Sequence, residues 1–299
     1  MRLISVFCLI CIFLCATPLT ERLFAEGSGK WLERADSLYG EGLWFEASIA
    51  YERVYYLSDD AQQRVLANLR KAEAMKQSGE FSRAAGDLQR SLVFTADDSL
   101  RAEVLYQLAL CFYLDGDYSA SRSFIMQLRH DRGNSSGRQE VFLLEGLVMS
   151  AQSQWNEIAG HLDYWLLESG APGMVRDSIV QYYKVNFLLG QPDSIPDPGR
   201  AKLFSTFIPG TGQVYAGAPG WGVLNAASQL ASLGAFGLMA LNGYYIAAVI
   251  AGLGPFQAFY FGGIRQAGEI AEQKRNSRLV SFRAAVDGFL INVAAELEN

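Results

Sequence analysis

A small residue returns every thirty-seven positions along the first two thirds of this chain. Gly42, Gly79 and Gly116 stand in even steps, Ser153 takes the next place and Gly190 the one after. The neighbours keep step. Two positions after each of the first four comes an aromatic residue (Trp44, Phe81, Tyr118, Trp155), and seven before comes a small one (Ala35, Ala72, Ala109, Gly146). Four before stands a large apolar residue (Leu38, Met75, Phe112, Met149). Five after come Ala47, Ala84, Ser121 and Ile158, and nine after come Tyr51, Leu88, Ile125 and Leu162. Six columns of one chemical type through four copies define a repeat array, whose units bury their apolar faces by stacking on one another.

Each unit reads as helix, turn, helix. Val104, Leu105, Leu108 and Phe112 have helical spacing, and the glycine after them falls where a first helix must end in a left-handed residue. The small column lets the two helices of a unit cross closely, and the aromatic wedges between them. In the third copy, EVLYQLALCFYLDGDYSAS, the residues Leu105, Leu108, Ala109, Phe112, Gly116 and Tyr118 resemble the tetratricopeptide repeat (TPR). That family's unit is about 34 residues long, which puts three extra residues per copy in the loops. The family's proline at the end of the second helix is missing here. The resemblance implies an all-α, TPR-like α-solenoid of four units over residues 26–190, with a concave face built from first helices. The residues expected on it are Leu32, Tyr39, Leu69, Lys76, Tyr106, Leu110, Tyr113 and Leu143, a groove for an extended peptide or partner helix with tyrosines as rigid anchors. Ordinary packing inside a small array is the competing reading.

A fifth copy stops early. Val175–Leu189 reads as one amphipathic helix that caps the last apolar face, with the domain boundary near Gly190. Pro192, Pro196 and Pro198 then mark residues 191–202 as a stiff linker.

From Leu203 to Ile264 the chain runs sixty-two residues without a charge or a histidine. A bilayer span takes roughly 20 apolar residues, and a charge at its centre costs about 2.5–3.5 kcal/mol on insertion scales. Two spans fit, Trp221–Leu241 and Tyr244–Ile264, with Asn242-Gly243 as the turn: a transmembrane helical hairpin. A buried helical pair in a soluble protein is the alternative. Ala227, Ala231 and Ala235 on the first span, and Ala247 with Ala251 or Ala248 with Gly252 on the second, have the spacing of close helix contacts in lipid. Gln229, Ser232 and Gln257 are placed to bridge the helices, and Pro255 should kink the second. Pro209, Gly210, Gly212, Gln213, Tyr215, Gly217 and Gly222 form a PG-x-GQ-x-Y-x-G block with a further glycine. Residues 204–262 are similar to small two-span bacterial membrane domains that carry this block. The resemblance implies a membrane module and no reaction. Gly210-Thr211-Gly212 is not a phosphate loop, since no Gly-Lys-Ser/Thr follows.

The N-terminus agrees with a membrane destination. Met1-Arg2 precedes fourteen apolar residues, and Ala25 offers a small residue for cleavage, so residues 1–25 read as a signal peptide or an uncleaved anchor. Cys8, Cys11 and Cys15 lie in that segment, which leaves Cys111 as the one cysteine beyond it and excludes an internal disulfide framework. At the other end, Phe282, Val286, Phe289, Leu290, Val293 and Leu297 mark one face of an amphipathic tail helix over residues 265–299, free to lie on a membrane or dock on the repeats.

Chemistry is sparse. His130 and His161 have no partners at metal-ligand spacing, and no nucleophile elbow or dinucleotide fingerprint occurs, so no catalytic, cofactor or metal site is expected. Asp59-Asp60 and Asp97-Asp98 read as helix caps at unit boundaries. Residues 26–199 hold twenty-five acidic against sixteen basic residues, a net of −9 that disfavours nucleic acid. The expected role is a membrane-anchored scaffold that holds a protein partner in the bacterial envelope. The alternative is a membrane-active module for insertion, transport or homo-oligomeric assembly through the hairpin. The targeting segment places the repeats in the periplasm, whereas the basic residues flanking the hairpin argue for the cytoplasmic side.

Overall fold

The computed structural model describes residues 29–93, 95, 97–130, 139–189 and 196–298; the targeting segment lies outside them. All regular elements among the described residues are helical. Residues 29–40 form α1, followed by α2 (Trp44–Leu57), α3 (Ala61–Gln77), α4 (Phe81–Leu92), α5 (Asp98–Asp115), α6 (Tyr118–His130), α7 (Gln139–Ala151) and α8 (Trp155–Glu168). These are the four helix pairs of a TPR-like array. α4, α6 and α8 pack on their own first helices, α2, α4 and α6 pack on the next one, and the first helices α3, α5 and α7 also touch in series.

The thirty-seven-residue columns have distinct structural duties. Gly42, Gly79 and Gly116 take left-handed φ angles of 78°, 76° and 87°, and Ser153 takes the same conformation at 59°. In three of the four turns the next residue donates its N–H back to the large apolar column: Leu43 to the Leu38 carbonyl, Glu80 to Met75 and Gln154 to Met149. That is a Schellman cap, which satisfies carbonyls otherwise orphaned at a helix end. The aromatic column opens every second helix. Ala35, Ala72, Ala109 and Gly146 are buried at the crossings, as are Ala47, Ala84, Ser121 and Ile158 opposite them. Asp60 and Asp97, thirty-seven residues apart, cap α3 and α5 by accepting from Gln62, Gln63 and Ser99 N–H groups.

Polar ties cross the array between apolar layers. Lys71, 8% exposed, joins α2, α3 and α4 through Glu52 and through Asp87 at 2.5 Å. Tyr51 Oη donates to Asp36 at 2.6 Å, and Arg70 holds the same carboxylate. Further along, Glu145 on α7 meets Arg129 at 3.0 Å and His161 Nδ1 at 3.6 Å, while His161 Nε2 bonds the Phe142 carbonyl at 2.8 Å. Cys111 is wholly buried, and burial pushes its thiol up to about 11, the behaviour of a core residue.

The described residues form two compact units, one of those up to Val180 together with those from Leu290 onward, the other of those from Gln181 to Phe289. In the first, Leu290 lies against Gly146, and Leu290, Val293 and Ala294 are buried. Leu290, Val293 and Ala294 therefore cover apolar surface at the end of the array, the docking offered as one of two outcomes for the tail, beside the cap expected of residues 175–189. Those residues run as α9 (Gly173–Tyr183) and a π-helical turn, Lys184–Leu188.

The second unit continues with α10 (Pro198–Phe207), α11 (Thr211–Tyr215), α12 (Pro219–Leu241), α13 (Tyr245–Ala248), a π-helical turn (Val249–Leu253) and α14 (Gly254–Glu298). A helix begins inside the stretch read as linker. Asp197 caps it and Pro198 sits in its first turn, where a missing N–H costs nothing. Asn242-Gly243 makes the expected turn. Pro255 is accommodated by the π turn just before it, in which the Gly254 N–H reaches back to the Val249 carbonyl. Around Phe289, Tyr182 stacks and Tyr183 and Phe187 lie tilted, at ring distances of 5.4–5.9 Å.

Candidate functional site

The glycine-rich block folds into a knot in the second unit. α10 and α11 are short helices joined through half-buried Pro209 and left-handed Gly210. Gly210 presses on the first turn of α12: a Cβ on Gly210 would overlap the Gly222 carbonyl, and one on Gly222 would stand 2.5 Å from the Gly210 carbonyl oxygen. Gly212 lies as tightly against the Ala201 carbonyl and Ser205 Oγ. Gln213 is fully buried, accepting from Ser205 Oγ at 3.0 Å and donating to the Gly263 carbonyl at 2.9 Å. Tyr215 meets Phe204 edge to face at 5.1 Å and accepts from the Asp197 N–H. Lys274 Nζ donates to the Gly217 carbonyl at 3.2 Å. All seven block residues thus come together. Ser205 and Lys274, which complete the knot, stand 8 residues before Gln213 and 57 after Gly217, with no local pattern to mark them.

The hairpin beside the knot has inverted polarity. Gln229 and Ser232 on α12 are 2% and 7% exposed, whereas Leu230 and Leu238 are 70% and 67% exposed. Asn225 donates to the Phe259 carbonyl at 3.1 Å, and Gln229 donates to Asn225 Oδ1 at 2.7 Å. The packed face of α12 is therefore Gly222, Asn225, Gln229, Ser232 and Phe236, at alternating helical steps of three and four. Ala227 and Ala231 are exposed and Ala235 half-buried, so the alanine column is not the contact face. On the second segment the pair in use is Ala248 and Gly252, with Gly252 seated on the Phe236 backbone; Ala247 and Ala251 face outward. Ser232 bonds within its own helix to the Ser228 carbonyl, and Gln257 is exposed, so Gln229 alone of the three expected polar bridges spans the pair. α12 and the helix from Tyr245 are each long and apolar enough to cross a membrane.

The eight residues expected on a partner groove are all half-buried. Leu32 and Tyr39 pack on the first core cluster, Leu69 on the second, and Tyr106, Leu110 and Tyr113 on the third. Tyr39 and Tyr113 lean on the next aromatic in their units, Trp44 at 4.8 Å and Tyr118 at 5.7 Å. Lys76 pairs with Glu73 on its own helix at 2.5 Å and reaches the next first helix by a hydrogen bond to Gln107 at 2.6 Å. Leu143 lies on α7. The structure brings Lys76 to α5 through Gln107. His130 ends α6, and the polar loop after it lies outside the described residues.

Fold and site together define a helical-repeat protein with an apolar two-helix module. No protein-family profile matches the sequence, and no curated protein matches it. Among solved structures, aspartyl phosphate phosphatase F from Bacillus subtilis is 12% identical with a TM-score of 0.45, over 81% of this chain and 60% of that one. The apo form of RapI is likewise 12% identical with a TM-score of 0.45, over 84% of this chain and 85% of its own. The chain thus spans less than two thirds of the first of these, and neither likeness assigns a function.

Proposed function

We propose that this protein is a membrane-anchored TPR-like scaffold: the hairpin of α12 and the following helix fixes it in a lipid bilayer, and the repeats hold a protein partner of the bacterial envelope. The inverted polarity of the hairpin carries the reading. Side chains such as Leu230, Ile246 and Ile250, each 70–80% exposed, would otherwise meet water. Apolar burial is favourable by about 25 cal/mol per Å², and exposed apolar patches of this kind mark membrane or protein contacts. Lipid removes the penalty, and the interior amides then serve as interhelical glue. For the partner, the half-buried tyrosines repeated along the first helices supply rigid anchors. The proposed orientation has the repeats and the tail on the periplasmic side and the Asn242-Gly243 turn on the cytoplasmic one.

Carbonate extraction of membranes followed by affinity capture in mild detergent tests the proposal. The full chain should remain in the membrane pellet and bring down one protein in fixed ratio. Extraction into the soluble fraction would remove the anchor. A ring of identical subunits would replace the scaffold by the membrane-active reading. Reporter fusions at Gly199 and Asn299 should both be active with an exported phosphatase.

A further inference from the structure

A cleft of about 400 Å³ opens in the second unit where the start of α12 meets the end of the second apolar segment. Its size lies within the usual range of small-ligand sites, about 300–1,000 Å³. Trp221, Leu224 and Phe259 give it apolar walls, Gly262 lines it, and Arg265 and Glu269 stand at its exposed edge. Arg265 is the first charge after the sixty-two-residue apolar stretch, so the cleft spans the level at which hydrocarbon gives way to headgroups.

We infer that this cleft binds a phospholipid with a primary-ammonium headgroup, its acyl chain along Trp221, Leu224 and Phe259, its phosphate on Arg265 and its ammonium on Glu269. The inference rests on the reading that the hairpin lies in a bilayer. The charge pattern selects the lipid. An arginine alone would favour any anionic headgroup, because guanidinium pairs well with phosphate oxygens. Here the Glu269 carboxylate lies 3.7 Å from the guanidinium, cancels its charge and repels a second anion. One cation beside one anion, with side chains 79% and 62% exposed, matches a zwitterion whose own charges are adjacent. The carboxylate further prefers an ammonium that donates N–H bonds. A quaternary ammonium has none to give and is recognised instead by several aromatic faces, of which this cleft offers Trp221 and Phe259 without a cage.

Native mass spectrometry of the full chain in detergent, with an equimolar mixture of phosphatidylethanolamine, phosphatidylglycerol and phosphatidylcholine of identical chains, tests it. Phosphatidylethanolamine should be retained about fivefold over either competitor, the size of one exposed ion pair. Glu269→Gln should abolish that preference. Gly262→Leu should abolish retention, since a Cβ at Gly262 enters open space and the larger side chain fills the cleft. Equal retention of phosphatidylglycerol, or an unchanged preference in Glu269→Gln, would overturn the assignment, and this surface variant keeps the test valid if Gly262→Leu unfolds. A chain that resists carbonate extraction yet shows no preference overturns the cleft alone; one that leaves the membrane fraction overturns the anchor as well.

Discussion

Gly210 and Gly222 meet backbone to backbone, twelve residues apart, with no room for a methyl group on either. The contact joins the α10–α11 turn to the first turn of α12 and fixes how the hairpin starts. Gly222→Ala should therefore lower the thermal midpoint in detergent, with an overpacking cost of about 1–3 kcal/mol. Gly220→Ala, on the same helix with open space at its Cβ, should leave the midpoint unchanged. Equal midpoints for the two variants would mean that the knot yields at no cost.

Ser153 occupies the left-handed position that glycine fills in the first three units. A residue with a Cβ is strained there by roughly 1–2 kcal/mol, while glycine gives part of that back through a freer unfolded chain. Ser153→Gly should raise stability by about 0.5–1 kcal/mol in chemical denaturation of the full chain. The converse change, Gly116→Ser, should lower it by a similar amount.

His161 gives the fold a pH limit. Burial lowers its pKa from 6.5 to about 4, aided by Arg129 and opposed by the bond to the Phe142 carbonyl. Between those values the unfolded chain binds a proton that the folded chain refuses, so stability falls as the pH drops from 6.5 towards 4. The full effect is on the order of 3 kcal/mol. Glu145, raised mainly by its own burial, works in the opposite sense, because its folded carboxyl takes up a proton earlier on acidification than the unfolded one. His161→Gln keeps a donor for the Phe142 carbonyl and should flatten the decline, as read by urea midpoints at intervals across this window.

Leu290 is wholly buried against Gly146. Leu290→Ala should cost about 2–5 kcal/mol, the usual range for removing a buried leucine side chain. Ile291→Ala, at a neighbouring position that is 51% exposed, should change stability little. Thermal melts that follow a probe in α7 or α8 would report both.

Much of the array was legible because its constraints are local and repeated. The left-handed Ser153 follows from its place in the glycine column, and the caps at Asp60 and Asp97 follow from their place between units. The covered stripe on the tail also agrees, with Val286, Leu290 and Val293 buried in sequence-predicted register. The hairpin was harder to read. In a segment without a polar face, periodicity says that a helix exists and leaves open which side packs. Alanine spacing pointed to 227–231–235, whereas Asn225 and Gln229, with hydrogen bonds to satisfy away from solvent, occupy the interior. The pairing of Gln213 with Gly263, fifty residues away, and of Lys71 with Glu52 and Asp87 across three helices, has no local signature. Nor do the groove positions declare themselves, since a half-buried tyrosine serves packing and recognition with the same ring.

The chain leaves the first unit after Val180 and rejoins it at Leu290. By connectivity, the apolar hairpin is thus an insertion inside the repeat unit, attached at both of its ends rather than trailing from one. A single backbone nick in the segment before α10 would not by itself free the repeats, because Leu290, Val293 and Ala294 would still hold them by their packed side chains. Release would need the nick and the undocking of Leu290 together, which makes the C-terminal segment a latch.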